Sequence, residues 1–273
     1  MYMKYLDTYE NDIINYKQPR IMVFITISWS RNHCPSEHAM SVQEVCLFGD
    51  SIARGVVLDA QGMYKPIKEC FAVLAAKELG FALINKARFG CTITKGREII
   101  EHFLDRIGTQ VRCLAFLEFG GNDCDFRWDQ ISADPKAEHL PATPLRHFFR
   151  TYGEAIQQLK KKGLKPVLMT LPPLDAERYF AWFTRTGLDQ KAILGWLGDV
   201  QFIYRWHESY SNAVWEIGET WQVPVVDIRR AFLEVRHYSH FLCKDGIHPN
   251  AEGHRLITSE IIRFAKERQE KVA

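Results

Sequence analysis

Four short segments of this chain hold side chains that could take part in one chemistry. Gly49-Asp50-Ser51 ends an apolar run, so Ser51 stands on a turn. Glycine lets such a backbone turn tightly and approach a ligand, and main-chain N–H groups there can face an anion. By itself the triplet is no more than a capping serine. Glu118-Phe119-Gly120-Gly121-Asn122-Asp123 leaves a second apolar run through two glycines, and Asn122 offers an amide donor. By itself Gly-Asn-Asp is a common turn. Gly90 follows a third run, and its N–H could face the same crevice. Near the C-terminus stands Asp245-Gly246-Ile247-His248-Pro249. An Asp and a His three apart in a tight turn can face each other. The carboxylate then takes the Nδ1 proton and leaves Nε2 free as a base.

These residues need elements to bring them together. Strand-length apolar runs occur at Val42–Phe48, Phe81–Ile84, Cys113–Phe119, Pro166–Leu171 and Val223–Ile228. Helical patterns lie between them, at Glu69–Leu79, Arg97–Ile107 and Pro144–Lys162, with a last one from about Ala251 to Lys271. Pro144–Lys162 starts on Thr-Pro and ends in a lysine run before Gly163, so cap, dipole and stop signal agree. Alternating strands and helices predict a parallel sheet covered on both faces, a three-layer α/β/α sandwich. Ligands of such sheets bind beyond the carboxyl ends of the strands, where the four segments fall.

The joint pattern of Gly49-Asp50-Ser51, Gly90, Gly120-Gly121-Asn122-Asp123 and Asp245-x-x-His248-Pro249 resembles, in order and spacing, the four blocks of the SGNH (GDSL-like) hydrolases. The resemblance runs from about Val42 through the last helix. It implies a flavodoxin-like parallel sheet of about five strands and an esterase without a cofactor or metal. It implies Ser51 as nucleophile, His248 as its base, Asp245 orienting His248, and an oxyanion hole of the Ser51 and Gly90 N–H groups with the Asn122 amide. Ile52 stands where many members carry leucine. Asp50 and Asp123 within these blocks, and Phe126 and Trp128 just after one of them, are candidates for contacting substrate. Gly49-Asp50-Ser51-Ile52-Ala53 also resembles the nucleophile elbow of α/β-hydrolases. That fold places its elbow after several strands and its acid well before its histidine, so this reading is rejected.

Length and composition are compatible with such an enzyme. The 273 residues are 47% hydrophobic and 25% charged, with a net charge of +2 from 35 basic and 33 acidic side chains. That balance gives no reason to expect a nucleic-acid or membrane-surface partner. The seven cysteines are odd in number, form no CxxC pair and sit partly in apolar runs, which suggests reduced thiols and a cytoplasmic protein. The apolar stretch Ile21–Trp29 is too short to span a membrane. Residues 1–39 read as an appendage to a hydrolase domain over 40–273. It could precede a biological start at Met40, or add an edge strand at Ile21–Ile27.

Two connections are long and aromatic. Asp123–Thr143 carries Phe126 and Trp128, and Pro172–Asp199 carries Tyr179, Phe180, Trp182, Phe183 and Trp196. The second leaves from the catalytic edge, which favours a cap over a pocket. A subunit interface in a homo-oligomer, or plain core, stays open. His254 is expected to be a partly exposed helix residue rather than half of a metal pair. His102, His139, His147, His207, His237 and His240 default to surface or core. Arg54, Lys95 and Arg127 read as surface charge before substrate contacts. The expected substrate is a small-molecule or carbohydrate ester with a short acyl group. A lysophospholipase or thioesterase, and a non-catalytic binding module on the same fold, are the alternatives.

Overall fold

The computed structural model describes residues 44–107 and 113–270. The segment 1–39, Met40 and the candidate strand Ile21–Ile27 lie outside the described residues. The described chain runs β1 (Glu44–Gly49), a hairpin of β2 (Val56–Leu58) and β3 (Tyr64–Pro66), α1 (Phe71–Leu79), β4 (Ala82–Asn85) and α2 (Ile93–Leu104). It continues with β5 (Cys113–Glu118), α3 (Trp128–Ala133), α4 (Leu145–Lys161), β6 (Lys165–Met169), α5 (Ala176–Thr184) and α6 (Gln190–Leu197). α7 (Gln201–Trp221), β7 (Val225–Val226), α8 (Ile228–Leu233) and α9 (Ala251–Glu270) complete it.

Five strands form one parallel sheet in the order β4-β1-β5-β6-β7. Both faces are covered, and side-chain alternation shows it. Cys46 and Phe48 of β1 and Ala115 and Leu117 of β5 enter one apolar layer, with α2, α4 and α7. Val45, Leu47, Leu114 and Phe116 enter the opposite layer, with α1, α8 and α9. Strands buried on both sides must read as continuous apolar runs, which is why they were visible in the sequence. Each fully buried Leu or Phe contributes roughly 1.5–3 kcal/mol. The sandwich expected from the strand–helix alternation is the one observed, with β7 reduced to two residues. No described helix is long and apolar enough to cross a membrane.

The helices differ more. α2 starts at Ile93, four residues before the expected Arg97, and Thr92 at its N-cap makes no side-chain bond. The Ile93 N–H is instead taken by the Asp123 carboxylate, at 3.0 and 3.1 Å. A cap supplied from thirty residues away leaves no local signature. α7 was not expected at all. It ends on Gln222 at φ 51°, so the glycine that usually marks a helix end is missing. The long connections fold too. Asp175 and Asp189 cap α5 and α6 through their carboxylates, and with α3 these helices build a third apolar cluster around Trp128, Phe180 and Ile193.

On α2, Gly96 lies against the ring of Phe119, where an added Cβ would stand 2.3 Å from Cζ. Phe119 is fully buried and packs edge-on to Tyr152, so it cannot yield. Gly96→Val is expected to destabilise the fold by about 2 kcal/mol or more, read as a lower urea midpoint with an unchanged slope. An unaltered midpoint would mean that the α2–β5 contact is looser than described.

Candidate active site

Ser51 follows β1 at the carboxyl edge of the sheet, and the turn that carries it is tightly held. Arg54, Gly55 and Val56 donate to the carbonyls of Asp50, Ile52 and Ser51. Asp50 Oδ1 accepts from the Ile52 N–H at 2.8 Å. A Cβ at position 49 would stand 2.6 Å from the Glu118 carbonyl, so only glycine lets β1 lie this close to the end of β5.

His248 and Asp245 come from the loop before α9. His248 Nε2 lies 2.9 Å from Ser51 Oγ, and Nδ1 lies 2.6 Å from Asp245 Oδ2. Asp245 Oδ1 accepts from the N–H groups of Ile247 and His248. The loop is closed by the Cys243 N–H on the His248 carbonyl at 2.7 Å, and Gly246 takes φ 77°. Burial works against the charge on fully buried Asp245. The bond and charge of His248, helped by the two N–H groups, outweigh it and hold the carboxyl below its usual range. Two aromatic rings flank the imidazole. Tyr64 of β3 lies 5.0 Å away, and Phe89 stacks at 6.1 Å and 9°.

The remaining sequence candidates divide. Asn122 borders the cavity and donates from Nδ2 to Asp50 Oδ2 at 2.9 Å, which leaves its second amide proton free to point elsewhere. Gly90 sits in an exposed turn at φ 67°, and Phe89 rather than Gly90 lines the cavity. Among the described residues neither the Ser51 nor the Gly90 N–H donates a hydrogen bond. Phe126 and Trp128 line the cavity. One candidate for contacting substrate is corrected. Asp123 is fully buried, away from the cavity wall, and its carboxylate caps α2. Asp50 reaches the wall, and its oxygens accept from the Ile52 N–H and from Asn122. It therefore orients Asn122. His254 is also corrected. It is completely buried, stacked on Phe71, and burial, then the charge of His248, depresses it to about 4. Arg54 bonds the Ala87 carbonyl and Arg127 pairs with Asp129; neither they nor Lys95 line the cavity.

The cavity beside Ser51 measures about 430 Å³. Its walls are largely aromatic: Tyr64, Phe89, Phe126, Tyr179, Trp182 and Trp206 are among them. α5 and α7 supply much of this wall, so the aromatic connection lies over the sheet edge that carries Ser51. Trp182 carries the Arg185 guanidinium 3.6 Å above its ring. Trp182 belongs to the aromatic connection expected to cap a pocket, whereas Tyr64 and Trp206 passed unnoticed in the sequence as cavity residues. Their elements, the short hairpin and α7, had no readable boundary. Among the described residues no group of three His, Cys, Asp or Glu side chains converges as metal ligands would.

Beneath the turn lies a set of carboxyls. Glu118, which sequence reasoning passed over as a strand end, is fully buried and accepts from the Ala53 N–H at 3.2 Å. Burial, then the neighbouring Asp50 charge, pushes it well above the usual range. Burial likewise raises Asp123 to about 7. An acid whose folded pKa is raised binds its proton more tightly folded than unfolded. Its stabilising contribution is complete below the unfolded value of 3.8 and is lost as pH rises through about 7. Buried His207 and His254 have depressed values and act in the opposite direction below the ordinary histidine range, so the parent alone does not isolate Asp123. Asp123→Asn, compared with the parent by urea unfolding, should gain relative stability across that window by up to about 1.4 kcal/mol per pH unit. A difference that is flat or falls with pH would show Asp123 to be ionised at no cost.

The profile of the GDSL-like Lipase/Acylhydrolase family matches residues 47–256. The uncharacterized lipoprotein YqeF of Bacillus subtilis is 26% identical over 195 residues, covering 70% of this chain and 73% of that protein. The GDSL esterase/lipase CPRD49 of Arabidopsis thaliana is 22% identical over 227 residues, covering 82% of this chain and 79% of its own length. Among solved structures, the lipase/acylhydrolase of Enterococcus faecalis superposes with a TM-score of 0.54 at 21% identity, over 83% of this chain and 97% of its own. A variant of Axe2, an acetyl xylan esterase of Geobacillus stearothermophilus, superposes with a TM-score of 0.56 at 20% identity, over 82% and 94%. At these identities the structural likeness speaks for the fold.

Proposed function

Because the chain belongs to the GDSL-like lipase/acylhydrolase family, and so is a carboxylic ester hydrolase, we propose that Ser51, His248 and Asp245 are its catalytic triad and that its substrates are short acyl esters, above all O-acetyl groups on carbohydrates. One observation carries the triad: an unbroken line of contacts, 2.9 Å from Ser51 Oγ to His248 Nε2 and 2.6 Å from Nδ1 to Asp245. A binding module that kept only the fold would have no need to hold that line.

In this reading Ser51 Oγ attacks the ester carbonyl while His248 Nε2 takes its proton. The tetrahedral oxyanion meets the N–H groups of Ser51 and Gly90 and the free amide proton of Asn122, which Asp50 turns toward it. The C–O bond to the alcohol breaks, and His248 returns the proton to the leaving oxygen. Water, deprotonated by the same base, then attacks the acyl-enzyme. The carboxylic acid departs and Ser51 regains its proton. Asp245 keeps Nδ1 protonated and offsets the positive charge that His248 carries between these steps.

The aromatic wall supports the substrate class, since flat rings suit the faces of sugars. An acetyl xylan esterase stands among the proteins that share the fold. A fluorophosphonate probe tests the triad. Stoichiometric labelling mapped to Ser51 by mass spectrometry, and lost in His248→Ala, is the expected result. Absence of labelling in folded protein would overturn the triad. A series of p-nitrophenyl esters tests the acyl length. The expected kcat/KM is highest for acetate or butyrate. A maximum at octanoate or beyond would favour the lysophospholipase or thioesterase reading.

A further inference from the structure

One histidine in the cavity wall takes no part in the mechanism. His207 of α7 borders the same cavity as Ser51 and His248 and is only 7% exposed. Among the described residues its ring makes no hydrogen bond, and its Nδ1 is buried without a partner. A buried polar group without a partner is costly in a folded chain, and most are satisfied. The neighbouring side of the wall carries a second polar group. Asp125 lines the cavity, and its Oδ1 accepts from Trp128 Nε1 at 2.9 Å and Tyr179 Oη at 2.8 Å. A carboxylate has about four lone-pair sites, so two bonds leave it capacity. The two residues belong to segments that touch. Trp206 donates to the Cys124 carbonyl at 2.9 Å and packs on Phe126, with ring centres 5.6 Å apart.

We propose that His207 and Asp125 form a hydroxyl-recognising subsite, which takes the free hydroxyls of a sugar or similar polyol whose acetyl ester is presented to Ser51. The inference rests on the esterase reading above and narrows it to the alcohol part of the substrate. A neutral imidazole has one donor and one acceptor nitrogen, which matches a hydroxyl that does both. Burial, then the Arg229 charge behind it, depresses His207 to about 3, so the ring is neutral at any working pH. Burial raises Asp125 to about 6, so above that it is an acceptor for a second hydroxyl. An acyl chain filling this cavity would desolvate both groups and give them nothing in exchange. The aromatic rings of the same cavity wall offer flat faces on which a sugar ring can rest.

The test uses three acetyl donors: a mono-O-acetylated methyl xyloside, the fully O-acetylated methyl xyloside, and p-nitrophenyl acetate. The parent is expected to prefer the mono-acetylated sugar, with free hydroxyls, over the fully acetylated one by about tenfold or more in kcat/KM. His207→Leu should erase that preference. His207→Gln, which keeps a donor and an acceptor, should retain part of it. Unacetylated methyl xyloside should competitively inhibit p-nitrophenyl acetate hydrolysis by the parent, a reading that needs no variant to fold. A parent that cleaves p-nitrophenyl acetate with no preference between the two sugar esters overturns the subsite and leaves the esterase reading intact. So does a folded His207→Leu that keeps the preference. Failure to cleave any of the three, with no fluorophosphonate adduct, overturns both readings together.

Discussion

Ser51→Ala is expected to lower kcat/KM for p-nitrophenyl acetate by roughly 10⁴- to 10⁶-fold while the protein stays folded. The size of the effect follows from what remains. Without Oγ there is no acyl-enzyme route, and any residual rate comes from water activated by His248 beside the oxyanion donors. The donors proposed above are main-chain N–H groups and Asn122, none of which the substitution touches. Stability should change little, because the turn is held by main-chain bonds and by Asp50 rather than by the Ser51 side chain. The thermal midpoint of the variant, measured beside its kinetics, separates loss of the nucleophile from loss of the fold. A folded variant that kept a tenth of the parent activity would place the nucleophile elsewhere.

Asp245→Asn should reduce kcat by about 10⁴-fold, although it changes only an oxygen to an amide nitrogen. The loop dictates which way the new amide faces. Asp245 Oδ1 accepts from the N–H groups of Ile247 and His248, so the Asn oxygen is kept there by the same two donors. Its NH₂ is then forced against His248 Nδ1, where the carboxylate stood at 2.6 Å. An amide donor at that place makes Nδ1 the acceptor. The ring proton moves to Nε2, which can no longer accept from Ser51. Asp245→Asn should therefore react slowly with the fluorophosphonate while giving a parent-like circular dichroism spectrum. A loss of less than tenfold would mean that His248 keeps its tautomer without Asp245.

The sequence was most informative where one residue type answers one local demand. The central strands are apolar because they are buried on both faces, and β1 and β5 fell within two residues of the expected bounds. Ser51, Asp245 and His248 lie at the carboxyl edge because such sheets put their loops there, and their contacts join segments nearly two hundred residues apart. The sequence was least informative where the partner is distant. Asp123 looked like a ligand contact, yet it caps α2 across the fold. Glu118 looked like the last residue of a strand, yet it is a buried acid beneath the Ser51 turn. His207 and His254 were indistinguishable from surface residues, because burial of a histidine depends on which helix face meets the core. α7 escaped notice because a glutamine occupies the left-handed position that glycine usually marks.

The loop that bears His248 is fastened to the helix that walls the cavity. The Asp175 N–H donates to the Gly246 carbonyl at 2.8 Å, and a Cβ on Gly246 would strike the Asp175 carbonyl and the Arg178 side chain. Gly246 stands between Asp245 and His248, and Asp175 caps α5, which carries Tyr179 and Trp182. On the proposed function, specificity and reactivity are thereby mechanically geared in this scaffold. An engineer who exchanged the α5 segment to accept a new substrate would also be resetting the aim of the imidazole. Libraries that diversify this wall should therefore hold positions 175, 178 and 246 fixed and vary only the ring-bearing positions between and beyond them.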